Sequence, residues 1–313
     1  MNNRPLLLDC DTGIDDALAL TYLLNCDTDL VGISTVSGNT SAQQASANTL
    51  ALLALAGRPG IPVAVGEHDP RTGAYRGGAP HVHGGNGVGD VSLPGAGTPS
   101  DETGPEMLLR LSRVHAGELD VVAIGPLTNI ARALDQDPAL PQRIHRLIIM
   151  GGAVWVPGNT TDHAEANIYN DAAAAAQVLT AGFDVTLVPL DVTLQHTFTD
   201  DDAALLEDSG HPLHLALGTM LRRYIDFYES VDGVRAAPLH DPLAAAIATG
   251  EVAITAARSV AIQVLAEDTE DRGRTMAADG RPQVQVVTGA SADADAAIRA
   301  RLLSTSRHQG VTQ

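Results

Sequence analysis

Short apolar runs, each ending in a polar turn, recur along the chain: PLLLD (5–9), LVGISTV (30–36), LDVVAIG (119–125), RLIIMGG (146–152) and DVTLVPLD (184–191). Ala/Leu-rich stretches of helical length separate most of them, at 15–25, 41–56, 105–116 and 171–181. Strands this apolar are buried on both faces. Alternating with helices, they predict an α/β fold: a mostly parallel central sheet flanked by helices. Ligands of such sheets sit outside the carboxyl ends of the strands, so the chemistry should lie just after each run. From 192 to 240 the pattern is helical, centred on LHLALGTMLRRYIDFYES; QVQVV (283–287) reads as a strand and 292–305 as a closing helix. The segment 68–104 is Gly/Pro-rich, and a loop of that length is an active-site flap or an insertion. No linker interrupts the pattern, so residues 1–313 are predicted to form one domain, with a flap at about 68–104.

The composition excludes several function classes. Net charge is −19, which disfavours nucleic acid as a partner. All 19 basic residues are arginine, so a phosphate-loop lysine, a Schiff-base lysine and a lysine general base are ruled out. No apolar run reaches the ~18–20 residues of a membrane span. The start, MNNRPLLLDCD, meets charge too early for a signal peptide. The two cysteines, Cys10 and Cys26, can form neither a disulfide framework nor a closed cysteine-only zinc site. The expectation is a reduced, cytoplasmic protein.

The first run ends in four aspartates within eight positions: Asp9, Asp11, Asp15 and Asp16. Acidic residues in a first helical turn favour the helix dipole, which accounts for one or two of them. Four like charges on one turn must protonate, separate or find a cation. Without lysine that cation is arginine or a metal, and carboxylates without cysteine suit a hard ion such as Ca²⁺ or Mg²⁺. Other strand ends add Asn39, a Gly-Pro turn after Ile124, the stretch GNTTDHAEANIYND with Asn159, Glu165 and Asn167, and His240-Asp241. Taken singly, each has an ordinary explanation as a turn or helix cap. Together they gather amides, carboxylates and a histidine on one rim.

The set DxDxGxDDAxA, TVSGN, HVHG, GPLTNIA, IMGG, GN-T-x-x-AE-x-N and HDPLA resembles the calcium-dependent nucleoside hydrolase family, the inosine–uridine-preferring type. The motifs run in family order from residue 9 to 241, and RGRTMAADGRP extends the likeness toward the carboxyl end. The resemblance implies an N-ribohydrolase that splits ribonucleosides into free base and ribose. It implies Ca²⁺ on Asp11, Asp16, Asp241 and the Ile124 carbonyl, with Asp11 also the general base on the attacking water. Asp15, Asn39, Asn159, Glu165 and Asn167 match ribose-hydroxyl ligands. His240 matches the residue that protonates the departing base, and His83 a flap residue near the nucleobase. Asp9 is read as support behind the metal site. A homodimer or homotetramer is implied as well.

There are departures. Thr12 stands where the family has Pro, Ala166 replaces an aromatic of the ribose or base pocket, and Asp171-Ala172 replaces Asp-Pro at a helix start. Two rivals remain at this level. A non-catalytic nucleoside- or ribose-binding protein needs the same sugar contacts but neither Asp11 as a base nor His240. A phosphohydrolase with an Asp nucleophile needs Thr or Val at the position of Gly13 and a later lysine, and both are missing. The preferred base, and the roles of Trp155, Tyr224 and Tyr228, are not legible in the sequence.

Overall fold

The structure is a computed structural model and describes residues 4–304. Eleven strands are present among them: β1 (Pro5–Cys10), β2 (Asp29–Thr35), β3 (Val63–Val65), β4 (Leu119–Ala123), β5 (Ile144–Met150), β6 (Val185–Val188), β7 (Thr197–Phe198), β8 (Ala237–Pro238), β9 (Ile254–Val264), β10 (Thr275–Ala278) and β11 (Val284–Ala290). Nine form one sheet in the order β10-β9-β11-β6-β5-β4-β1-β2-β3, while β7 and β8 pair as a small ribbon. From β3 to β11 all neighbours run parallel; β9 and β10 are antiparallel at one side. The sheet is therefore mostly parallel, as predicted.

The helices are α1 (Ile14–Asn25), α2 (Ala42–Leu55), α3 (Pro80–His83), α4 (Gly104–Val114), α5 (Thr128–Gln136), α6 (Ala166–Asn170), α7 (Ala172–Thr180), α8 (Leu190–Thr193), α9 (Asp200–Asp208), α10 (Pro212–Asp232), α11 (His240–Thr249) and α12 (Ala294–Leu303). They divide between the two faces of the sheet. Alternation along β1 sends Leu6, Leu8 and Cys10 into the layer with α1, α10, α11 and α12. Leu7 points the other way, into the layer of α4, α5 and α7. Asp9 falls on the Leu7 side by the same alternation, a placement with consequences for the site.

Five strands were not anticipated: β3, β9 and β10 of the large sheet, and β7 and β8, two residues each inside the stretch 192–240 read as helical. β3 has only three residues. In β9, residues 255–259 (TAARS) are exposed, so that stretch lacks the apolar run by which a buried strand is recognised. β10, TMAA, is as short on bulky apolar residues. β6 stops at Val188, and the expected run to Asp191 turns into α8 after Pro189, which has no N–H to give the sheet. At α11 the helix begins at His240, with Leu239 at the cap, so Pro242 sits third in the helix rather than first. Asp171 is a helix-start residue as expected, its carboxylate capping α7 at the Ala174 N–H (3.0 Å).

The Gly/Pro-rich segment is an ordered flap. It lies against α2, where Asn48 Nδ2 donates to the Asn86 carbonyl (2.9 Å). Arg223 of α10 donates to the Pro80 carbonyl and pairs with Asp90. Among the described residues, no helix is long and apolar enough to cross a membrane.

Candidate active site

The turn from β1 into α1 is built on backbone donors. Asp16, at the third position of α1, reaches back to the Asp11 N–H (3.1 Å) and the Gly13 N–H (2.7 Å). The Ile14 N–H, another first-turn donor, is taken by Nδ1 of His83 from the flap (3.1 Å). From the end of β2, the Asn39 N–H donates to Asp11 Oδ2 (2.6 Å) and Asn39 Nδ2 donates to Asp16 Oδ2 (3.1 Å). Gly38 is tightly enclosed: a Cβ there would run into Asp11 Oδ2 and stand 2.8 Å from Pro126 Cδ.

Ligand atoms of Asp15, Asp16 and Asp241 lie within 4.8 Å of one another, all three residues buried. Asp11 is bonded to this group through its own N–H but stands outside that trio, whereas Asp15, expected to hold sugar, is inside it. Oδ1 of Asp11 and Oδ1 of Asp15 are buried and have no hydrogen-bond partner. Among the described residues, none of the four carboxylates has an ion-pair partner. Burial, then mutual repulsion, raises the pKa of Asp16 to about 7, and raises Asp11 and Asp241 well above the usual carboxylate range. Asp15 is also raised by burial, against the pull of His240. Buried oxygen donors lacking a counter-charge, two of them unpartnered, fit a hard divalent cation.

The other expected residues divide. Asn167 donates through Nδ2 to the Ile124 carbonyl (2.9 Å) and the Met150 carbonyl (3.2 Å), so the structure joins two residues that were expected separately. Glu165 is buried, but both its oxygens serve backbone N–H groups, of Gly152, Asn167 and Ile168, capping α6. Asn159 is exposed on the loop before it, where its side chain accepts from the Ala166 N–H (3.0 Å). Ala166 is half-buried. Trp155 is 42% exposed and lies under the Arg258 guanidinium rather than in the cluster.

His240 is buried, with Nδ1 on the Thr193 hydroxyl and Nε2 on the Tyr228 hydroxyl, 2.8 Å each. Burial pushes its pKa down to about 4, and that of His83 to about 3. Both imidazoles are therefore neutral near pH 7, whereas the sequence led us to expect an imidazole that protonates readily. The Tyr224 hydroxyl donates to Asp15 Oδ2 (3.1 Å), and its ring stands 5.7 Å from His83 and 5.0 Å from Tyr228. Thr193 escaped the sequence reading, although it too follows a strand run. Asp9 faces away from the cluster: Ser34 and Asn129 donate to its Oδ1, and burial raises its pKa to about 6.

A model of the inosine-uridine preferring nucleoside hydrolases matches residues 6–297. The chain belongs to that family. It is 38% identical over 243 residues to uridine nucleosidase 1 of Arabidopsis thaliana, covering 77% of this chain and 72% of the relative. With the pyrimidine-specific ribonucleoside hydrolase RihA of Salmonella typhi it shares 33% over 270 residues, 85% of this chain and 86% of the other. Its fold superimposes on the purine-preferring ribonucleoside hydrolase from Gardnerella vaginalis with a TM-score of 0.92 at 32% identity, over 96% and 99% of the two chains. The protein is thus a nucleoside N-ribohydrolase, cleaving the N-glycosidic bond of ribonucleosides. This nucleoside hydrolase carries its acidic cluster at the carboxyl end of β1, between β4 and β2 in its sheet.

The enclosure of Gly38 is directly testable. A methyl group there displaces the Asp11 carboxylate, and a ~1 Å misplacement of a reacting group costs on the order of 10²-fold. Gly38→Ala is expected to lower kcat/KM by about that factor with an unchanged far-ultraviolet circular dichroism spectrum. Activity within threefold of wild type would show that Gly38 does not set the position of Asp11.

Proposed function

We propose that this nucleoside hydrolase is Ca²⁺-assisted, with Asp11 as general base on the attacking water and His240 on the side of the departing base. One observation carries the reading: Asp15, Asp16 and Asp241 cluster with Asp11 bonded to them, all buried, two of their oxygens are unpartnered, and among the described residues no cationic side chain pairs with them. As they stand their pKa values are raised, and a protonated Asp11 cannot be a base. Asp11, Asp16, Asp241 and the Ile124 carbonyl are the residues proposed to hold the ion, with Asp15 beside them. When bound, Ca²⁺ supplies positive charge that keeps these carboxylates ionised, and Lewis acidity toward the sugar hydroxyls.

The rest belongs to the chain's own groups. Asp11 is held by the Asn39 N–H on one oxygen, leaving Oδ1 free to take a proton from water. Asp15 is held by Tyr224 on one oxygen, leaving its own Oδ1 for the ribose 2′-hydroxyl. Asn39, Asn159, Glu165 and Asn167 are proposed for the remaining sugar contacts, and His83 for the base. The anionic rim also favours the positive charge that develops on the ribose as the bond stretches. Burial keeps His240 neutral in the free site, so on this reading the proton for the leaving base is taken up from solvent and relayed through the hydrogen-bonded Tyr228 and His240, each ending in its starting protonation state, rather than coming from a standing imidazolium. The proposal takes the enzyme as cytoplasmic and homo-oligomeric; the few cysteines and the family resemblance support it.

Exhaustive chelation is expected to abolish base release from uridine and to lower the melting temperature, because an ion bound only by the native state stabilises it. Added Ca²⁺ should restore both. Full activity in protein shown to be metal-free would end the metal reading.

His240 is tested by leaving group. His240→Ala should slow uridine or inosine but spare p-nitrophenyl riboside, whose leaving group needs no proton. Equal losses on both would remove His240 from the proton path.

The sugar assignment turns on the 2′-hydroxyl. Without it Asp15 loses its donor, and a site built to bind a hydroxyl rejects the analogue lacking it by roughly 10⁴. The intrinsic chemistry opposes this, since 2′-deoxyribosides ionise more easily. We expect binding to win, with 2′-deoxyuridine nearly inert in kcat/KM measured beside uridine. A gap under about tenfold, ~1.4 kcal/mol, would withdraw the assignment of Asp15.

A further inference from the structure

Asp9 and the Asn129 of GPLTN have no part in the chemistry above, yet both are buried beside it. We propose that Asn129 is a positioning residue that fastens both ends of the flap to the strand presenting the aspartates, so that flap position and metal-site geometry share one anchor. The inference rests on the reading of the aspartate cluster as a metal site.

The Asn129 amide, in the first turn of α5, commits both its N–H donors and its carbonyl oxygen to one crossing. Nδ2 donates to Asp9 Oδ1 (2.7 Å) and to the Thr35 carbonyl at the end of β2 (3.0 Å). Oδ1 accepts from the Glu67 N–H, the first residue of the flap (2.8 Å). Two glycines let the main chain pass against this amide. A Cβ on Gly66 would run into both amide heteroatoms, and one on Gly104 would lie 2.9 Å from Nδ2 and 3.0 Å from the Gly66 Cα. The chain thus enters the flap at 66 and leaves it at 104 against a single side chain.

Two paths lead from that crossing to the cluster. Asp9 lies two residues before Asp11, and its carbonyl accepts from the Ile124 N–H (2.8 Å), fixing the residue whose own carbonyl faces Asn167. The Glu67 carbonyl accepts from the Ser37 N–H (3.1 Å), and two residues on is Asn39, whose N–H holds Asp11. A shift of the flap root moves both. An amide is the group this crossing needs: a carboxylate at 129 loses both N–H donors and faces Asp9 with like charge, and an apolar residue leaves the Glu67 N–H without its acceptor and takes one of two donors from both Asp9 Oδ1 and the Thr35 carbonyl.

The test separates coupling from mere support. Gly104→Ala presses on the crossing while keeping every donor, and Gly104 opens α4, where alanine is at least as good a helix former. Asn129→Ala removes the amide. Three quantities are measured on each full-length variant: hydrogen exchange of residues 67–103, Ca²⁺ affinity by calorimetry on metal-stripped protein, and kcat and KM for uridine. For Gly104→Ala we expect flap exchange at least tenfold faster, Ca²⁺ affinity about fivefold weaker, KM raised and kcat lowered. Asn129→Ala should go further in each, and if it does not fold, Gly104→Ala decides alone. A faster flap with Ca²⁺ affinity and kcat within twofold of wild type would overturn the coupling and leave Asn129 a local clip. Wild-type protein that releases base but takes up no Ca²⁺ would fail the metal reading instead. The coupling would then stand or fall on kcat in Gly104→Ala, an unchanged value overturning it.

Discussion

Repulsion among buried carboxylates is the constraint around which this molecule is arranged. Asp11, Asp15, Asp16 and Asp241 share one desolvated rim. Two unit charges ~4.8 Å apart at an effective dielectric near 20 repel by roughly 3–4 kcal/mol, and several such pairs act at once. The raised pKa values of these groups express that cost. Backbone donors in the site offset only part of it, and the aliphatic layers on both faces of the sheet carry the rest. A rigid, doubly covered strand end can hold like charges together where a surface loop would let them swing apart.

What the chain does supply is hydrogen-bond donors on fixed backbone. The N–H groups of Asp11, Gly13 and Asn39 all point at carboxylate oxygens, and the positive end of α1 lies among them. These donors moderate the charge without neutralising it. The arginines are engaged elsewhere: Arg71 pairs with Asp135, Arg223 with Asp90, and Arg272 donates to the Tyr169 carbonyl. Had one of them entered the rim, it would have occupied the place of a metal.

The mostly parallel sheet flanked by helices was legible because strands buried on both faces announce themselves as apolar runs, and polar residues crowd at their ends. The roles of individual side chains were less so. Glu165 and Asn159 carry the motif, yet their oxygens in this structure serve backbone N–H groups, a local fact that spacing does not reveal. The pairing of His240 with Thr193 and Tyr228 spans three elements far apart in the chain, and so does that of Asp15 with Tyr224. Neutral imidazoles were unforeseen for the same reason, since burial is a property of the assembled fold. β9 escaped because its exposed Ala/Ser/Arg stretch lacks the signal of a buried strand.

The two halves of the proposed substrate would meet unlike parts of the protein. On the assignments proposed above, the ribose half would rest on residues at the ends of β1, β2, β4 and β5. The base half would face His83, Tyr224 and Tyr228 on α10, and His240 at the start of α11, rings that stand against one another. A change of Tyr228 on α10 reshapes that wall, whereas a change of Tyr224, which donates to Asp15, reaches the carboxylates as well. Relatives named for uridine, for pyrimidines and for purines share the fold of this chain at similar identity. The proposed division accords with that spread: sugar contacts assigned to the strand ends, and base contacts to side chains of the helices and the 68–104 segment.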